Sequence, residues 1–181
     1  MRNGDIVVLL PGISGSVLTK DGSDVFGLTV GAGLRALWTG GDSIRQLALT
    51  EDPAIADDLG DGVVASTLAP DAHLIPGLWR IDGYGRLERA LLRQHALTRG
   101  VDYFPFPYDW RRDNRVAARR LQVATETWLR DRRETFAEAR LILVAHSMGG
   151  LVARYFLEVL GGWRNTRWLV TFGTPFRGSL N

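Results

Sequence analysis

Ser147 is the residue of this chain best placed for chemistry. It stands in Val144-Ala145-His146-Ser147-Met148-Gly149-Gly150, where an apolar run ends, small residues follow and a helical pattern begins. A serine hydroxyl is a weak nucleophile. To attack a carbonyl it must stand clear on a sharp turn, have a base beside it, and have amide donors aimed at the developing oxyanion. Ala145 and Gly149 supply the small flanks of such a turn, Ala145 standing where the commonest form of the motif has Gly. A helix starting near Met148 directs its positive end at the site.

An oxyanion hole takes two amides, one from the residue after the nucleophile and one from the loop after an earlier strand. Met148 is the first. Pro11-Gly12-Ile13-Ser14-Gly15-Ser16 follows the first apolar run and has the glycines to turn inward, so the Ile13 amide is the predicted second donor. In this kind of site the acid and the base follow the serine in the order Asp or Glu, then His. From Met148 to Asn181 there is no Asp and no His.

Local substitutes for the missing base fit poorly. His146 adjoins Ser147, but neighbouring side chains diverge at a tight turn, so it is expected to pack beneath it. Asp109 precedes the serine, and its Trp and Arg neighbours suggest a buried, hydrogen-bonded corner. Glu158 is spaced to pair with Arg154 at i, i+4. His95 ends a helical pattern, and His73 is expected in a loop near Pro70 and Pro76. The segment Gly31-Ala32-Gly33-Leu34-Arg35-Ala36, with Glu51 or Asp52 downstream, matches a dinucleotide fingerprint only weakly, because Gly40-Gly41 breaks the helix it needs. With three scattered histidines and no cysteine, neither a metal site nor a cofactor is expected.

The elements that must position these residues alternate. Ile6–Leu10, 101–106, 141–145 and 168–172 are apolar, β-branched runs of the kind found in buried parallel strands. Between them, Tyr84, Leu87 and Leu91 share one helical face, as do Ala117, Leu121, Ala124 and Trp128. Leu151, Val152, Tyr155, Phe156 and Val159 form a third apolar stripe, closed by Gly161-Gly162. This alternation predicts an α/β fold: a mostly parallel sheet with helices on both faces. Residues 19–76 interrupt it and are expected to be either a functional lid, cap or binding loop or a peripheral layer of short helices packing on the sheet.

The chain has 181 residues, 45% hydrophobic and 23% charged, which fits one domain spanning 1–181. Its net charge of +2 rests almost wholly on arginines interleaved with acids, as in Arg130-Asp131-Arg132-Arg133-Glu134, so no nucleic-acid partner is expected. Neither a signal-peptide pattern nor an apolar run of about 18 residues is seen, which reads as a cytoplasmic protein; transient contact with a membrane or lipid surface stays open.

Four segments together resemble the lecithin:cholesterol acyltransferase family. They are Leu10-Pro11-Gly12-Ile13-Ser14-Gly15-Ser16, Pro107-Tyr108-Asp109-Trp110-Arg111, Ala145-His146-Ser147-Met148-Gly149-Gly150-Leu151-Val152 and Gly173-Thr174-Pro175-Phe176-Arg177-Gly178-Ser179. The resemblance implies an α/β-hydrolase fold, truncated here before its last strands. It implies an O-acyltransferase, lipase or esterase acting on a lipid or other acyl ester, with Ser147 as nucleophile and Ile13 and Met148 as oxyanion donors. It also implies that the Asp and His come from sequence after the Gly-Thr-Pro-Phe loop, so this chain by itself is expected to be nearly inactive. A non-catalytic acyl-binding module and a base supplied by a second chain are the alternatives.

Overall fold

The computed structural model describes residues 4–26, 48–49, 51–54, 58–70, 72–75, 79–81 and 83–178. Among them the central feature is a four-stranded parallel sheet. Its strands are β1 (Ile6–Leu10), β7 (Tyr103–Pro105), β8 (Leu141–His146) and β9 (Thr166–Phe172), in the order β7-β1-β8-β9. All four predicted apolar runs are strands, trimmed at 103–105 and lengthened at 141–146 and 166–172.

Among the described residues three helices cover this sheet: α1 (Gly85–His95), α2 (Asn114–Arg133) and α3 (Met148–Glu158). Odd and even residues of the strands divide between them. Val7, Leu9, Ile142 and Val144 pack with Leu87, Leu91 and Leu92 of α1. Ile6, Val8, Leu10, Leu141, Leu143 and Ala145 pack with Ala117 and Leu121 of α2 and Val152 and Phe156 of α3. Because β1 and β8 are buried on both faces, their sequences are continuously apolar rather than alternating. Each such Leu or Ile contributes roughly 1.5–3 kcal/mol by leaving water.

The strand order decides where a site can form. From β1 the chain crosses by way of α1 to β7 on one side, whereas β8 lies on the other side and is followed by α3 on the opposite face. Loops leaving the carboxyl ends of β1 and β8 therefore part to opposite faces and leave a crevice between them. The Gly-rich loop and Ser147 both lie at that crevice.

Within the predicted interruption, several of the described residues form strands. β2 (Ser16–Lys20), β3 (Ser23–Phe26) and β4 (Val63–Leu68) make an antiparallel sheet in the order β3-β2-β4. β5 (Ala72–Ile75) and β6 (Trp79–Ile81) form an antiparallel pair. His73, expected in a loop, is thus in a strand: its short run pairs with 79–81, a tertiary choice its flanking prolines did not announce. The dinucleotide-like segment 31–36 lies outside the described residues. Among those described, no helix is long and apolar enough to cross a membrane.

Candidate active site

At the end of β8 the backbone turns sharply. Ser147 has φ 49° and ψ −121°, a conformation that costs a non-glycine residue of order 1–3 kcal/mol and persists only where its surroundings impose it. Those surroundings are the ladder bond from the Ser147 amide to the Phe172 carbonyl (2.9 Å) and the first turn of α3, where the Gly150 amide bonds the Ser147 carbonyl (3.0 Å). Glycine is required next to it. A side chain at 149 would strike the Pro11 and Leu10 carbonyls, and one at 150 would strike the Thr174 side chain.

The loop after β1 lies directly against the serine. A Cβ on Gly12 would stand 2.9 Å from the Ser147 Cβ and 3.1 Å from His146 Nδ1. The Gly15 amide closes the loop on the Gly12 carbonyl (3.0 Å), with Ser14 at φ 60°. Met148 opens α3, so its amide is one of the helix's orphan donors. Among the described residues neither the Ile13 nor the Met148 amide donates to a backbone carbonyl. The structure therefore brings Ser147, Met148 and the Ile13 loop together.

The Pro-Tyr-Asp-Trp-Arg segment braces this arrangement from behind. Tyr108 donates its hydroxyl to the Pro11 carbonyl (2.8 Å) and its amide to Ser16 Oγ (3.0 Å), while Trp110 Nε1 donates to the Ser16 carbonyl (3.2 Å). Burial pushes the Tyr108 hydroxyl well above its ordinary pKa, so it stays a donor. Asp109 is committed to Arg111, whose Nε and Nη2 both reach the carboxylate (2.9 and 2.6 Å). It is the buried corner expected from its neighbours. Arg111 also holds Asp61 (2.9 Å), and Arg112 holds Asp52 (3.0 Å), so this corner ties down described parts of 48–61.

His146 does not face the serine hydroxyl. Its Nδ1 lies 2.7 Å from the Tyr84 hydroxyl, its ring stacks on Phe172 (centroids 4.8 Å), and burial holds its pKa below the ordinary value. Glu158 pairs with Arg154 at 3.0 Å, as its spacing predicts. Among the described residues no imidazole or carboxylate hydrogen-bonds Ser147, and no group of three or more His, Asp or Glu could hold a metal ion. Tyr84 is the contact that sequence reading missed. It appeared as a helix-face residue, and its flanking Gly83 and Gly85 were the available signal. A cleft of about 340 Å3 opens beside it, lined by Leu68, Pro70, Glu88, Pro105 and Pro107 among others.

A chain in "The crystal structure of Tle4-Tli4 complex" shares this fold, with a TM-score of 0.55 at 20% identity over 92% of the present chain. The present chain spans 45% of that neighbour, under half its length. No curated protein matches. Residues 92–181 match the family model described as lecithin:cholesterol acyltransferase. That span holds the Tyr108 corner, the strained Ser147 turn and the Thr174 loop, so the similarity to the lecithin:cholesterol acyltransferase family lies in the half of the chain that carries the candidate nucleophile.

Proposed function

We propose that this chain is the nucleophile-bearing part of an α/β-hydrolase-type enzyme that hydrolyses or transfers the acyl group of lipid-like esters. Ser147 Oγ attacks the ester carbonyl carbon and gives its proton to a base. The oxyanion is held by the Ile13 and Met148 amides, and the alcohol leaves with that proton. The acyl-enzyme then passes its acyl group to water or to a second alcohol, restoring the hydroxyl. By the family resemblance the base is a His, with its Asp, from sequence following the Gly-Thr-Pro-Phe loop. Residues 19–76 are assigned the role of a cap or lid insertion.

The observation that carries this reading is the strained Ser147 at the crevice, with the Gly12 backbone against its Cβ. The test is fluorophosphonate labelling and p-nitrophenyl ester hydrolysis by the whole protein. Both should vanish in Ser147→Ala, and retained hydrolysis in that variant would sink the proposal. One observation favours a second reading, a non-catalytic acyl-binding module: no base stands beside Ser147 among the described residues. Saturable fatty-acyl binding by the whole protein, without Ser147-dependent turnover, would select it.

A further inference from the structure

Tyr84 touches both halves of the candidate site and belongs to neither of the segments that build it. Its backbone is fixed first: the Tyr84 amide donates to the Ala69 carbonyl (3.0 Å), and Gly83 lies so close to the Ala69 and Pro70 carbonyls that no side chain fits there. From this anchor the ring lies across the loop after β1. A Cβ on Gly15 would meet Tyr84 Cε2 at 2.8 Å. The hydroxyl then makes two short contacts, accepting the Gly12 amide at 2.7 Å and meeting His146 Nδ1 at 2.7 Å. The Tyr84 and His146 rings are edge to face, with centroids 5.9 Å apart.

Hydrogen-bond arithmetic gives this bridge a direction. The Gly12 N–H fills one acceptor site on the Tyr84 oxygen, and the hydroxyl's one hydrogen needs an acceptor of its own. His146 Nδ1 is that acceptor, so the neutral imidazole carries its proton on Nε2. Burial raises the Tyr84 hydroxyl's pKa and lowers that of His146, and each keeps the state the bridge requires.

We propose that Tyr84 is a positioning residue for the oxyanion hole, locking the loop after β1 to the residue before Ser147. By taking up the Gly12 amide, it leaves the next amide, that of Ile13, to serve as the oxyanion donor. The proposal rests on the acyl-transfer reading for its catalytic consequence, but the bridge itself can be tested without turnover.

The first experiment is imidazole 15N spectroscopy of the whole protein at neutral pH, with the His146 signals assigned. His146 should show a protonated Nε2 and an unprotonated Nδ1, and in Tyr84→Phe both nitrogens should move toward tautomer-averaged shifts. A proton on Nδ1 in the parent, or unchanged nitrogens in the variant, would overturn the proposal. The second is ester kinetics in the whole protein. Loss of a direct oxyanion donor costs 10²–10³ in kcat, so misplacing one should lower kcat about tenfold with KM nearly constant. A rise in KM with kcat unchanged would overturn the positioning role. His146→Asn, which keeps an acceptor near the Nδ1 position, should retain most of the rate. His146→Leu should match Tyr84→Phe, and the double variant should fall no further, because the two act as one unit. Additive losses would count against the bridge. Turnover independent of Ser147 would instead sink the acyl-transfer reading, and the spectra would still judge the bridge.

Discussion

β8 and β9 run side by side, in register from Ile142 to His146 and similarly apolar, yet they have opposite relations to solvent. In β8 Ile142 and Val144 lie under α1, while Leu143 and Ala145 lie under α2 and α3. In β9 the partners of Ile142, Val144 and His146 are Trp168, Val170 and Phe172, which are 63%, 48% and 40% exposed. The face is the same, and α1 packs on residues of β7, β1 and β8. Crossover direction, not composition, therefore decides which apolar strand is sealed. The consequence reaches the site: the strand ending at Ser147 is gripped from both faces and can hold a strained turn, while its neighbour presents an open apolar stripe.

The comparison can be broken most decisively at Leu143. It is wholly buried, and Leu143→Ala should lower unfolding free energy by about 3 kcal/mol, within the roughly 2–5 kcal/mol range of such truncations, as measured by urea denaturation. A loss below about 1 kcal/mol would show that β8 is not the rigid support described. Gly149→Ala comes next. Its new methyl meets backbone carbonyls of Leu10 and Pro11 that cannot rotate away, so a loss of about 2 kcal/mol is expected from overpacking. Ester hydrolysis by the whole protein should fall with it, as the loop after β1 is pushed from Ser147.

On β9 the expected effect is small. Val170→Thr should change stability by at most about 0.5 kcal/mol, since the side chain is already half in water. A cost near that of Leu143→Ala would mean that something covers the stripe. The smallest effect is a pH dependence from His146, whose folded pKa lies below its ordinary value of 6.5 because burial disfavours the charged form. The unfolded chain then binds more protons in the window below pH 6.5. Stability should be full above that pH and decline as pH falls toward the folded pKa. The decline should be absent from that window in His146→Asn; an identical acid limb in both proteins would refute it.

Much of the frame was legible because its signals are local. The runs at 6–10 and 141–145 are apolar throughout because parallel strands are covered twice, and the stripes at Leu87/Leu91 and Leu121/Trp128 mark helices by their period. Asp109 was read as a buried corner from its Trp and Arg neighbours, and Glu158 as the partner of Arg154 from spacing alone. The antiparallel β2–β4 sheet was not legible. β4 reads Val-Val-Ala-Ser-Thr-Leu and pairs with a strand some 45 residues earlier, so neither its pattern nor its neighbours announce it. Tyr84 was missed for the same reason, because its partners Gly12 and His146 are 72 and 62 residues away.

The sequence by itself determined the chemistry on offer: a serine between small residues before a helix, a Gly-rich loop after the first strand, and four segments that resemble one family. These depend on residue type and short spacing, which the chain carries openly. Only the tertiary structure decided that the β1 loop and Ser147 share one crevice, because that follows from β8 lying beside β1 after 130 residues of intervening chain. It also decided that His146 is held by Tyr84 rather than turned to the serine, since a hydrogen bond between distant segments exists only once the sheet has brought them together.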